Sequence, residues 1–142
     1  TGFNLKPHCA TPRSRGCLRL QESNPHGKPV IDPGYLSDQY DLACLVDGIK
    51  LCRNVVAQKA FDGIRGRELC PGEDVQTDAE IEAWVRQNAD TGYHPVGTCR
   101  MGEVVDHALR VRGVSRLRVV DASVMPVIPD GNTQAATFMD GG

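Results

Sequence analysis

His94-Pro95-Val96-Gly97-Thr98-Cys99-Arg100-Met101-Gly102 is the stretch on which the reading of this chain turns, and it is answered further on by Asp121-Ala122-Ser123-Val124-Met125-Pro126 and by Gly131-Asn132-Thr133. Proline at position 95 fixes its own φ, removes a backbone donor and biases His94 toward an extended conformation. The imidazole therefore sits on a stiff backbone. Gly97 and Gly102 carry no Cβ, so the chain there can turn tightly or come close to a flat ligand. A histidine titrating near neutrality accepts a proton from an alcohol, a transfer worth roughly 10²–10⁴-fold in rate. An isolated His-Pro is more often an ordinary half-buried histidine bonded to a nearby carbonyl. The string around it shifts that balance.

The second string begins with Leu117-Arg118-Val119-Val120-Asp121, where dense β-branched residues after Gly113 and Ser115 predict a short strand ending in a carboxylate. Ala122 and Ser123 are small enough to let backbone N–H groups face a phosphate or a ribityl chain. Taken alone, Asp-Ala-Ser is more often a helix N-cap or a turn. Pro126, Pro129, Asp130 and Gly131 make a stiff loop that delivers Asn132. Thr133-Gln134-Ala135-Ala136-Thr137-Phe138-Met139 then reads as the opening of a helix, whose free N–H groups and positive dipole end suit an anionic ligand.

Together, the two strings resemble the C-terminal signature of the glucose–methanol–choline (GMC) flavoenzymes, which oxidise alcohols using FAD. The resemblance implies that His94 takes the hydroxyl proton while hydride passes to the flavin, and that Asn132 holds the substrate oxygen by a hydrogen bond. Asparagine at the second position is similar to the choline dehydrogenases, choline oxidases and related alcohol dehydrogenases, whereas glucose oxidases carry histidine there. The same resemblance sets Asp121 and Ala122 against the FAD diphosphate and ribityl region, and Asn132, Thr133 and Gln134 near the flavin ring. It extends upstream through Pro12-Arg13-Ser14-Arg15-Gly16, Pro29 to Asp38, and Asp78-Ala79-Glu80-Ile81.

Three departures shape the expectation. No Gly-x-Gly-x-x-Gly leads into a helix, so the FAD-binding Rossmann half is missing. The final helix stops at Phe138-Met139-Asp140-Gly141-Gly142, where family members continue, and the stretch from Gly102 to Leu109 is short. The chain thus reads as a C-terminal piece of a longer protein, inactive alone. Its cofactor, FAD, belongs to the full-length parent, and its partners are a small-molecule alcohol and the missing N-terminal FAD-binding domain. The alternatives are a non-redox lyase on the same scaffold, as the GMC-like hydroxynitrile lyases are, and a stand-alone or degenerate binding module.

Composition bounds the rest. At 142 residues, one folded domain buries roughly two-thirds of its surface. Net charge is −2, with no basic patch of the sort nucleic-acid binders need. Aromatics are 5% of residues and Trp84 is the sole tryptophan, so a cation–π cage for a quaternary ammonium would need rings from elsewhere. Six cysteines without C-x-x-C pairs or zinc-like spacing suit free thiols in a reducing cytoplasm, and Cys99 reads as a small filler. No segment has the ~20 apolar residues needed to span a bilayer, and no signal peptide is visible.

Along the chain, residues 2–9 and 16–22 are predicted strands, paired antiparallel through the 12–16 turn, with a further short strand at Val30-Ile31. Ser37-Asp38 predicts the cap of a helix running to about Gln58, its stripe formed by Leu42, Leu45, Val46, Ile49, Val55 and Val56 and weakened by Gly48. Thr77 and Glu80 form a capping-box pattern opening a second helix to about Ala89, whose Ile81, Trp84 and Val85 face a core. The expected fold class is α+β, an antiparallel sheet with helices on one side. Residues 1–115 would be the substrate-binding region, and 116–142 a truncated return to the FAD-binding domain through a strand and a helix start.

Overall fold

The computed structural model describes residues 2–21, 24 and 26–140. The elements are α1 (Gln39–Val56), α2 (Asp78–Asn88) and α3 (Gln134–Asp140), strands β1 (Cys17–Arg19) and β2 (Val30–Asp32), and 3-10 turns at Lys59–Phe61 and Ala122–Val124. They fall into two compact units, each built from two stretches of chain: Thr1–Cys9 with Tyr35–Asp90, and Ala10–Gly34 with Thr91–Gly142.

In the first unit, α1 starts where expected. The Asp38 carboxylate accepts from the Tyr40 N–H at 2.8 Å, satisfying a donor that the first turn leaves without a helical partner. Leu42, Val46 and Ile49, at helical spacing, are buried against Ile81 and Val85 of α2, with Leu36, Leu45, Val75 and Trp84 closing the cluster. The apolar stripe ends sooner than its residue types suggest, since Val55 is exposed. At the end of α1, Arg53 spans Glu68 and the carbonyls of Gly72 and Val75, which pins the loop leading to α2. The capping box of α2 is complete: Thr77 Oγ1 accepts from the Glu80 N–H, and the Glu80 carboxylate accepts from the Thr77 N–H at 2.8 Å.

The predicted strand at 2–9 does not form. Pro7 has no N–H to give a ladder, and it packs on α1 at Gly48, where an added Cβ would meet Pro7 Cβ at 2.5 Å. Gly48 is therefore a contact point for the N-terminal segment, which explains a glycine in mid-helix.

In the second unit, β1 pairs antiparallel with β2, Leu18 opposite Ile31. The partner of the 16–22 segment is thus 30–32 and not 2–9, and among the described residues the expected sheet is this two-stranded ribbon. The last residue of the predicted 16–22 strand and the Gly141-Gly142 end of the chain lie outside the described residues. The predicted strand 117–121 is also absent. Arg118 makes one isolated bridge to Arg110, while Leu109 and Arg116 both adopt positive φ and interrupt any ladder there. The fold class, α+β, stands. Among the described residues of this unit, Val105, Val124 and Met125 are the buried apolar ones.

Candidate active site

The site is assembled inside the second unit. Tyr93 turns the chain just before the histidine: its φ is 64°, and its N–H donates to Thr91 Oγ1 at 2.9 Å. Pro95 follows His94. Gly97 then takes a φ of 91°, a conformation L-residues rarely adopt, which is the reason for glycine at that position. The reversal lets the backbone run beside the second string: the Gly97 and Cys99 N–H groups both donate to Ser123 O, at 3.1 and 3.0 Å, and Met101 N–H donates to Val124 O at 2.8 Å. Val124 and Met125 of the second string are buried, as is Val105 just beyond the first.

The third string closes on the first. His94 is half-buried, and its Nδ1 lies 3.4 Å from Oγ1 of Thr133, a residue 9% exposed. The Thr133 carbonyl accepts from both the N–H and the hydroxyl of Thr137, each at 2.9 Å, so the first turn of α3 anchors its backbone. Asn132 and Gln134, on either side of Thr133, are exposed. Of the predicted site residues, then, His94 and Thr133 are in side-chain reach, and Asn132 and Gln134 flank that pair on an open surface.

Asp121 and Ala122 open the 3-10 turn at Ala122–Val124. The Asp121 carboxylate caps the 3-10 turn, accepting from the Ser123 N–H at 2.8 Å, and that donor is consumed within the turn. The Ser123 hydroxyl and then its N–H hold the Asp121 pKa below the ordinary carboxylate value. The Arg110 N–H does the same for Asp106, and the Thr77 N–H for Glu80. Each group has a folded pKa below its unfolded one, so each stabilises the fold above the ordinary carboxylate range and loses that contribution as pH falls through the folded value. Acid titration followed by circular dichroism should show stability falling below about pH 4, with Asp121→Asn flattening part of that dependence. An unchanged acid profile in that variant would remove the cap from the account.

Whole-chain charge concealed one feature. Arg110, Arg112, Arg116 and Arg118 line a shallow open cleft with Asp106 as its acidic residue, so the chain does carry a local basic patch. Their spacing in Arg-x-Arg-x-x-x-Arg-x-Arg was the available signal. Among the described residues no cluster of His, Cys, Asp or Glu could hold a metal ion, and no helix is long and apolar enough to cross a membrane. Among the described residues no disulfide joins any of the six cysteines.

An imidazole on a braced loop, flanked by two exposed carboxamides, suits a polar organic ligand. The chain belongs to the GMC oxidoreductase family, whose model matches residues 12–141. It is 47% identical to an oxygen-dependent choline dehydrogenase of Chromohalobacter salexigens, covering 97% of this chain and 25% of that protein. It is 46% identical to an alcohol dehydrogenase [acceptor] of Pseudomonas putida, covering 97% and 26%. Its fold matches an FAD-dependent oxidoreductase from Chaetomium thermophilum with a TM-score of 0.84 at 28% identity, covering 92% of this chain and 24% of that one. The chain spans about a quarter of the length of the curated relatives it matches.

Proposed function

We propose that this chain supplies the substrate-facing, proton-accepting part of an FAD-dependent oxidoreductase that converts an alcohol to a carbonyl compound. The observation that carries the reading is His94 itself: half-buried, stiffened by Pro95, and set beside Thr133 within a segment shared with choline and alcohol dehydrogenases. His94 would accept the proton of the substrate hydroxyl on a ring nitrogen, and the exposed Asn132 carboxamide would donate a hydrogen bond to the same oxygen as negative charge builds there.

The residues present suit a flavin. The uncharged donors and acceptors of Asn132, Thr133 and Gln134 match the carbonyl and imide edge of a flavin ring. Asp121, already charged and capped by Ser123, suits the hydroxyls of a ribityl chain, whereas a diphosphate beside it would be repelled. When bound, FAD supplies the hydride acceptor that no side chain can provide. This chain's residues orient the alcohol and manage its proton. The isolated chain is proposed to bind no flavin and to have no activity by itself.

The test is anaerobic. A primary alcohol added to the flavin-loaded full-length protein should bleach the oxidised-flavin absorbance and yield one carbonyl product per flavin reduced. Flavin that dithionite reduces but no alcohol in a choline-to-benzyl alcohol panel reduces would overturn the proposal.

A further inference from the structure

We propose that the arginine-lined cleft of the second unit is a binding site for a small molecule carrying a phosphate group, an inference that does not rest on the function proposed above. The backbone gathers the cations. Arg110 and Arg118 are partners in an antiparallel bridge, flanked by bonds from Val111 N–H to Leu117 O at 3.0 Å and from Val119 N–H to Leu109 O at 3.1 Å. Bonds on either side of the pair mark it as a non-hydrogen-bonded one, in which opposed side chains leave the same face at the closest approach a ladder allows. Arg112 and Arg116 stand two residues further along each arm, and all four arginines line the cleft.

Like charges set directly opposite each other are unfavourable, and the cleft offers little to offset them. Among the described residues none of the four arginines forms an ion pair. Asp106, the acidic residue of the cleft, spends its Oδ1 on the N–H groups of Ala108 and Arg110, each at 2.9 Å. The Arg118 side chain donates from Nε to Ala108 O at 3.1 Å, a partner without charge. Arg116 also holds a φ of 61°, a conformation in which glycine or asparagine sits more easily.

Charge, size and surface together select the occupant. Concentrated positive charge suits a phosphate group, which brings about two negative charges and three acceptor oxygens, and guanidinium forks bind it two bonds at a time. The cavity, about 520 Å³, is in the range of small-molecule sites, and half-exposed Val114 and Leu117 on its wall offer an apolar surface to the organic part. A long polyanion is disfavoured by the net charge of −2 on the whole chain.

Isothermal titration calorimetry of the flavin-loaded full-length protein, with pyrophosphate as the probe, tests the site while bound FAD occupies its own. A dissociation constant below about 1 mM at low salt is expected, rising with ionic strength. Arg112→Gln/Arg116→Gln, which removes two exposed charges, should weaken binding at least about tenfold, whereas Arg86→Gln at an exposed position of α2 should leave it unchanged. Pyrophosphate that does not bind, or that binds the double variant as well as the wild type, overturns the proposal. Succinate binding as tightly as pyrophosphate would make the site one for carboxylates and overturn it too. If pyrophosphate fails while phosphatidic acid vesicles or a single-stranded oligonucleotide bind through the same arginines, the partner is a surface or a polymer and the small-molecule reading falls.

Discussion

Replacing His94 with alanine in the flavin-loaded full-length protein is expected to slow flavin reduction by alcohol by about 10²–10⁴-fold, the range lost when a positioned general base is removed. The loss should fall on the limiting rate of reduction more than on the concentration of alcohol that half-saturates it, because a base acts in the transition state while much of the binding comes from other groups. The fold should tolerate the change. His94 is half-buried on a loop, it lies outside the apolar core of its unit, and among the described residues its ring meets Thr133 at 3.4 Å. Stopped-flow absorbance under anaerobic conditions measures the rate, and the thermal transition serves as the control. Reduction within a few-fold of wild type would strip His94 of the role of base. The activity would then have to rest on another group, and Asn132, which has no basic nitrogen, cannot supply one.

The largest stability effect is expected in the other unit. Leu42 is fully buried between α1 and α2 and touches the cluster formed by Val46, Ile49, Ile81 and Val85. Truncating it to alanine should cost about 2–5 kcal/mol, the transfer free energy of the lost atoms plus the cavity left where two helices cannot close further. Trp84, the sole tryptophan, packs at the edge of this cluster and makes its fluorescence a local reporter in a urea titration. Leu51→Ala, at an exposed position of the same helix, should change the unfolding free energy by less than about 0.5 kcal/mol. Equal effects at the two sites would mean that the α1–α2 contact is not where the stability of this unit resides.

Local chemistry explains how much of the architecture could be read beforehand. Asp38, Thr77 and Glu80 announced their helices because a cap satisfies donors within three residues of itself, a distance over which sequence and space are nearly the same thing. Asp121 behaved as its short-range preference suggests, capping its own turn. The misjudged elements were strands, whose partners are not local. Residues 2–9 look extended but include Pro7, and their contact is a helix glycine far along the chain. The 117–121 segment is rich in β-branched residues, yet Leu109 and Arg116 sit in the left-handed region and allow it only a single bridge.

The candidate site divides along the same line. By itself the sequence singled out the side chains proposed to carry the chemistry, an imidazole stiffened by a following proline and a carboxamide in a Pro/Gly-rich loop, and the order of the strings that mark the family. It also determined the helix starts, since those depend on neighbours in the chain. Only the tertiary structure decided that Ser123 O gathers the backbone of the first string and that Thr133, 39 residues from His94, is the group at its Nδ1. That pairing depends on the reversal at Gly97 and on backbone bonds to a second string whose Val124 and Met125 are buried, and contacts made by such collapse leave no regular spacing to be read.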